Sequence, residues 1–72
     1  MKQTVDARGL SCPQPVLLAM QAMRAADSGE IEVVVDNEAS RENVGRAAHS
    51  QGWTVAVADL DNGEFRLDLA KS

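Results

Sequence analysis

Two alternating runs flank a turn dipeptide in Trp53-Thr54-Val55-Ala56-Val57-Ala58-Asp59-Leu60-Asp61-Asn62-Gly63-Glu64-Phe65-Arg66-Leu67-Asp68-Leu69. Trp53, Val55 and Val57 alternate with Thr54, Ala56 and Ala58, and Phe65, Leu67 and Leu69 alternate with Glu64, Arg66 and Asp68. A period of two puts the apolar residues of each run on one face of a strand. Between the runs, Asn62-Gly63 supplies the positive φ angles of a two-residue type I′ turn, so the strands are expected to pair as an antiparallel hairpin. Its apolar face calls for a second layer to cover it.

Working outward, residues Glu38 to about Gln51 read as a helix, with Asn37 as cap, acidic residues in the first turn and Gly52 just past the end. Its expected inner stripe is Val44, Ala47, Ala48 and Gln51, while Glu42 and Arg46 pair four apart on the outer side. Ile31-Glu32-Val33-Val34-Val35 is a compact β-branched run and predicts a buried strand. From Pro13 to about Ala26 the chain is rich in good helix formers, with Val16, Ala19, Met20, Met23 and Ala26 on one face. Asp27-Ser28-Gly29 ends that helix, Gly29 being suited to a left-handed closing residue. Thr4 to Ala7 alternates weakly before Gly9, which predicts a short first strand and a tight loop. The order is β-α-β-α-β-β, an α+β two-layer sandwich with two helices packed on one face of a four-stranded mixed sheet. No linker, repeat or low-complexity run divides the chain, so a single domain is expected over residues 1–72, its body from about Gln3 to Ala70.

At 72 residues, 44% apolar and 25% charged, such a chain buries only about 60% of its unfolded surface and has no room for an enclosed active site. One cysteine excludes an internal disulfide, and one histidine without CxxC spacing argues against a zinc site, so neither metal nor cofactor is expected. Seven Lys and Arg against eleven Asp and Glu leave a net charge of −4 with two aromatics, which disfavours nucleic-acid binding. The longest apolar run, Val16 to Met20, falls far short of the ~20 residues a membrane span needs, so no membrane insertion is expected. Lys2 leads into polar sequence where a signal peptide would be apolar; the expected location is the cytoplasm, where a thiol stays reduced.

Unusual residues coincide in Asp6-Ala7-Arg8-Gly9-Leu10-Ser11-Cys12-Pro13-Gln14-Pro15. Proline disfavours helical geometry in the residue before it and suits the first helical position, so Cys12 fits the cap and Pro13 the first turn. In a second register Ser11 is the cap, Gln14 closes an S-x-x-Q box and Cys12 lies inside the first turn. Either places the sulfur at the positive end of the helix dipole. The two prolines remove two amide donors, leaving the N–H of Gln14, and one step further that of Val16, as expected partners of a sulfur anion. A helix N-terminus lowers a cysteine pKa from ~8.5 to roughly 3.5–7.5. Arg8 adds favourable charge if the loop folds back. Against this stands the ordinary fate of a lone cysteine, a small buried apolar side chain. Ser11 lacks a G-x-S-x-G elbow and a nearby histidine, which argues against a serine hydrolase, and His49 near a helix end reads as a dipole-complementing or simply solvent-facing residue rather than a base.

Asp6-x-Arg8-Gly9-Leu10-x-Cys12-Pro13-x-Pro15, with Val33-Val34-Val35-Asp36-Asn37-Glu38-Ala39-Ser40-Arg41-Glu42-Asn43-Val44 and Ser50-Gln51-Gly52, resembles the TusA/SirA/YedF family of small sulfur-carrier proteins, its second segment the YedF-like branch. The resemblance runs from Thr4 to about Leu69 and rests on the Cys-Pro-x-Pro element in its Arg-Gly-Leu context. It implies the two-layer βαβαββ sandwich and a persulfide on Cys12. Many relatives carry a second cysteine two residues before the glycine where this chain has Ala7, so an intramolecular disulfide relay is not expected. YedF-like proteins often continue into a DsrE-like domain, whereas this sequence ends at Ser72, which points to a separate partner or to a piece of a longer protein.

The expected function is a sulfurtransferase relay in which Cys12 accepts sulfane sulfur and yields it to an acceptor protein thiol. The donor would be a cysteine desulfurase or a rhodanese-like protein, and the acceptor a protein thiol, for example a DsrE-like one. Arg8, Gly9, Pro13, Gln14 and Pro15 build the loop and helix start, while Asp36, Asn37 and Arg41 are candidates for partner docking, on what is expected to be a monomer. The competing readings are a non-catalytic interaction or regulatory module with a structural cysteine and, last, an RNA binder of similar topology, which the −4 charge opposes.

Overall fold

The computed structural model describes residues 2–11 and 13–72. Its elements follow the expected order: β1 (Lys2–Asp6), α1 (Gln14–Ala26), β2 (Gly29–Val35), α2 (Glu38–Ser50), β3 (Thr54–Asp59), a 3₁₀ turn (Asp61–Gly63) and β4 (Phe65–Lys71). The sheet order is β1-β2-β4-β3, with β1 parallel to β2 and both other pairs antiparallel. Both helices cover one face, α1 over β1 and β2, α2 over β3 and β4.

The core is the apolar stripe of each element meeting at that interface. Ile31, Val33 and Val35 of β2 and Leu67 and Leu69 of β4 are buried beneath Ala19, Ala22 and Met23 of α1 and Val44 and Ala48 of α2. Each such fully buried aliphatic contributes about 2 kcal/mol relative to exposure. Trp53 is buried just before β3, its N–H donating to the Ala48 carbonyl at 3.0 Å. Edge strand β3 is less covered, and Val57 stays exposed. The opposite face is polar, with Glu32 between Lys2 at 4.0 Å and Arg66 at 3.5 Å, and Arg66 also 3.3 Å from Asp68.

Four details depart from the sequence reading. The hairpin closes through three residues: Asp59 pairs with Phe65, and the Leu60 N–H donates to the Glu64 carbonyl at 2.8 Å. Asn62 and Gly63 do take positive φ, 64° and 76°, but Asp61 joins them in a 3₁₀ turn that replaces the two-residue loop. At the end of α1 it is Asp27, with φ 65°, that first turns left-handed. Helix α2 ends at Ser50, so Gln51 is exposed, and Ser40 takes the buried place at the other end of the inner stripe.

Topology fixes where the helices start. β1 and β2 are parallel, and β3 runs the same way as β2 because both are antiparallel to β4. A helix joining two parallel strands of one sheet, adjacent or not, must travel back across it. Both α1 and α2 therefore begin at the end where β1 and β2 finish, and β4 begins there too.

Candidate functional site

The chain leaves β1 at that end. Its ladder to β2 continues one residue further, the Ala7 N–H donating to the Val34 carbonyl at 2.8 Å, and Ala7 is fully buried. The next two amides are each held by a carboxylate. The Arg8 N–H donates to Asp6 Oδ1 at 3.1 Å, and the Gly9 N–H donates to Asp36 Oδ2 at 2.7 Å across 27 positions of sequence. Gly9 has φ 79°, and a Cβ added there would meet nothing within 4 Å. The backbone angle, not lack of space, is what asks for glycine.

Arg8 forms a two-pronged pair with Asp6, Nε to Oδ1 and Nη2 to Oδ2, both 2.9 Å, and its Nη1 lies 3.6 Å from Glu64 Oε1 at the start of β4. These bonds, first the side-chain one and then that from the Arg8 N–H, hold the Asp6 carboxyl down to about 2. The same pairing holds the guanidinium more firmly protonated. Arg8, expected to add favourable charge if the loop folds back, is engaged here by two carboxylates, Asp6 and Glu64.

Helix α1 begins at Gln14, with Pro13 in the cap position and Pro15 in the first turn. Neither expected register is met, the start falling one to two residues later. No side chain among the described residues caps it, and its first turn contains no acidic residue. The Gln14 N–H, expected to face the sulfur, instead donates to the Ser11 carbonyl at 2.9 Å, and among the described residues the first full helical bond runs from the Leu17 N–H to the Pro13 carbonyl at 3.0 Å. Ser11, Pro13 and Gln14 are exposed, and Pro15 is buried. Cys12 itself lies outside the described residues.

The three residues expected to dock partners are built into the fold. Asp36 uses both oxygens, Oδ2 on Gly9 and Oδ1 accepting from the Asn37 side-chain amide at 3.1 Å. Asn37 caps α2, its Oδ1 accepting the Ser40 N–H at 2.7 Å, as expected of it. Arg41 pairs with Glu38 at 3.0 Å and lies over the Phe65 ring, 5.2 Å from the centroid. The structure thus gathers Arg8, Gly9, Asp36 and Asn37 at one end of the sheet and adds Glu64, which the sequence reading did not include. A long-range partner of this kind leaves no periodic signal. Beside Pro13 a shallow groove separates the helices, lined by Pro13, Val16, Asn43, Arg46, Ala47 and Ser50. Among the described residues no helix is long and apolar enough to cross a membrane.

Comparison with known proteins places this architecture. The sequence profile of the family described as sulfurtransferase TusA matches residues 3–71. The chain is 37% identical over 68 residues to a protein of Methanocaldococcus jannaschii named as a candidate sulfur carrier, covering 93% of this chain and 91% of that one. It is 30% identical over 71 residues to the sulfur carrier protein TusA of Allochromatium vinosum, covering 97% and 93%. The crystal structure of a SirA-like protein from Desulfitobacterium hafniense superposes with a TM-score of 0.91 at 32% identity, over 100% of this chain and 99% of that one. With the two-layer βαβαββ sandwich and these relatives together, the chain belongs to the TusA/SirA-like family of sulfur-carrier proteins.

Proposed function

We propose that this protein relays sulfane sulfur on Cys12. The Cys12 thiolate attacks the outer sulfur of a donor persulfide, R–S–SH. The donor S–S bond breaks, its electron pair leaves with the donor thiolate, and Cys12–S–SH forms. An acceptor thiolate then attacks the terminal sulfur, and Cys12 departs as a thiolate. Sulfur moves with no net oxidation and no cofactor, at a rate set by thiolate fraction and access. By their chemistry the donor is a persulfide-bearing protein such as a cysteine desulfurase or a rhodanese, and the acceptor a protein thiol.

One observation carries this reading: α1 opens two residues after the one cysteine of the sequence, behind exposed Ser11 and Pro13, with no side-chain cap among the described residues and no acidic residue in its first turn. The first amides of a helix have no acceptor within it, and its N-terminal end favours negative charge. With the Gln14 N–H engaged by Ser11, the donor this account assigns to the sulfur is the N–H of Val16. Intact-mass spectrometry after incubation with a persulfidated cysteine desulfurase tests it. The wild-type chain is expected to gain one sulfur atom, released by reductant, and Cys12→Ser to gain none. A wild-type chain left unmodified by a donor that loads a known carrier would overturn the proposal.

A further inference from the structure

We infer that Asp36 is a positioning residue for the chemistry of Cys12, its carboxylate holding the loop that runs into the cysteine through the Gly9 N–H. The inference rests on the sulfur-carrier reading and deepens it. The bond from Gly9 to Asp36 is short, 2.7 Å, and ties the end of β2 to the loop after β1. A hydrogen bond to an ionised carboxylate is roughly twice as strong as one between neutral groups. The carboxylate is itself held, because Asn37 donates to its second oxygen and Asn37 is fixed in turn by the Ser40 N–H. The first turn of α2 therefore sets the orientation of the Asp36 side chain, and that side chain sets the direction of the Gly9 amide.

The loop relies on this tie. Arg8 is anchored backward onto Asp6 and sideways onto Glu64. Forward of Gly9, Leu10 packs half-buried against the core and the Ser11 carbonyl accepts the Gln14 N–H, so the bond to Asp36 is what fixes the direction of the Gly9 amide itself. With φ 79° at Gly9, the chain turns there in a conformation that only a fixed amide direction makes unique. Both Asp36 oxygens are engaged within the chain, which leaves the group better suited to holding the loop than to gripping a partner. A loop released at Gly9 no longer keeps the cysteine to the helix end that favours its thiolate, so the thiolate fraction falls and Cys12 reacts more slowly.

The test compares D36A with D36N in the full-length chain. Both remove the charge, but the amide of D36N keeps an oxygen able to accept the Gly9 N–H. Three quantities are measured: hydrogen exchange at the Gly9 amide by NMR, the pH profile of Cys12 alkylation by iodoacetamide, and sulfur loading from a persulfidated desulfurase. Expected for D36A are a Gly9 amide that has lost its protection, a shifted alkylation profile and alkylation about tenfold slower at pH 7 than in D36N, with D36N between D36A and wild type because it keeps one acceptor oxygen without the charge. Iodoacetamide needs no docking surface, so this readout separates positioning from partner contact. Alkylation profiles that coincide for D36A and D36N overturn the inference, as does normal alkylation with only the protein donor slowed, which would assign Asp36 to docking. A wild-type chain that takes no sulfur from any donor sinks the carrier reading instead, and leaves the alkylation comparison intact. Should D36A not fold, D36S, whose hydroxyl is too short to reach Gly9, takes its place in the same comparison.

Discussion

The two helices of this chain begin at the same end of the sheet and begin differently. α2 is closed: Asn37 Oδ1 accepts the Ser40 N–H at 2.7 Å, and Glu38 stands in its first turn. α1 has no side-chain cap among the described residues, no acidic residue in its first turn, and prolines at the cap and in the first turn. A closed start satisfies its own amides and meets its dipole with a carboxylate, which is what a purely structural helix needs. An open start leaves that electrostatic work to whatever anion arrives. On the proposed reading, stability is served at one helix start and reactivity at its neighbour, and Asp36, bonded to Gly9 and to Asn37, lies between them.

Removing the nucleophile breaks the comparison most completely: Cys12→Ser is expected to abolish sulfur acceptance in the mass assay while shifting the unfolding midpoint little. Opening the closed start comes next. Asn37→Ala should cost about 1 kcal/mol in denaturant unfolding, and should slow Cys12 alkylation only as far as it disturbs Asp36. Closing the open start is the converse, since a carboxylate placed in the first turn of α1 by Gln14→Glu opposes a thiolate by about 0.5 kcal/mol. Alkylation at pH 7 should fall about two-fold, and the loss should shrink in high salt. An unchanged rate would show that the helix end does not act on the sulfur.

Smaller effects are expected at the flanking ion pairs. Asp6 titrates in the fold at about 2, below its ordinary 3.8. A lowered carboxylate stabilises the fold above its ordinary value and loses that contribution as pH falls through the folded one. The deficit of Asp6→Asn relative to wild type should therefore be constant at neutral pH, shrink between about pH 4 and 2, and vanish below. The pair is fully solvated, so the deficit itself is small. Least of all is expected from Glu42→Gln, which removes an exposed pair to Arg46 at 3.5 Å and should cost about 0.3 kcal/mol.

Local chemistry in this chain is legible from local sequence. The alternation of Trp53 to Val57 and Phe65 to Leu69 gave two paired strands, and Asn37 before Glu38 gave the capped start of α2, because a period and a cap are both short-range signals. The turn around Asn62 was read one residue short: the positive angles were visible, but the choice of Asp61 as a third loop residue follows from the register of β3 on β4. Ser40 was missed as a buried residue because a serine on an inner stripe carries no apolar signal. Within the candidate site, the Cys-Pro-x-Pro element was readable, whereas the bonds of Gly9 to Asp36 and Arg8 to Glu64 were not. They depend on β1, β2 and β4 meeting at one end of the sheet, which exists only once the strands are paired.

On the proposed reading, the open start of α1 makes Cys12 a thiolate ready to take sulfur. The most direct test of that reading is the pH dependence of alkylation of the wild-type chain by iodoacetamide at low salt. The account predicts a midpoint well below the ~8.5 of an ordinary cysteine. A midpoint at or above that value would contradict it.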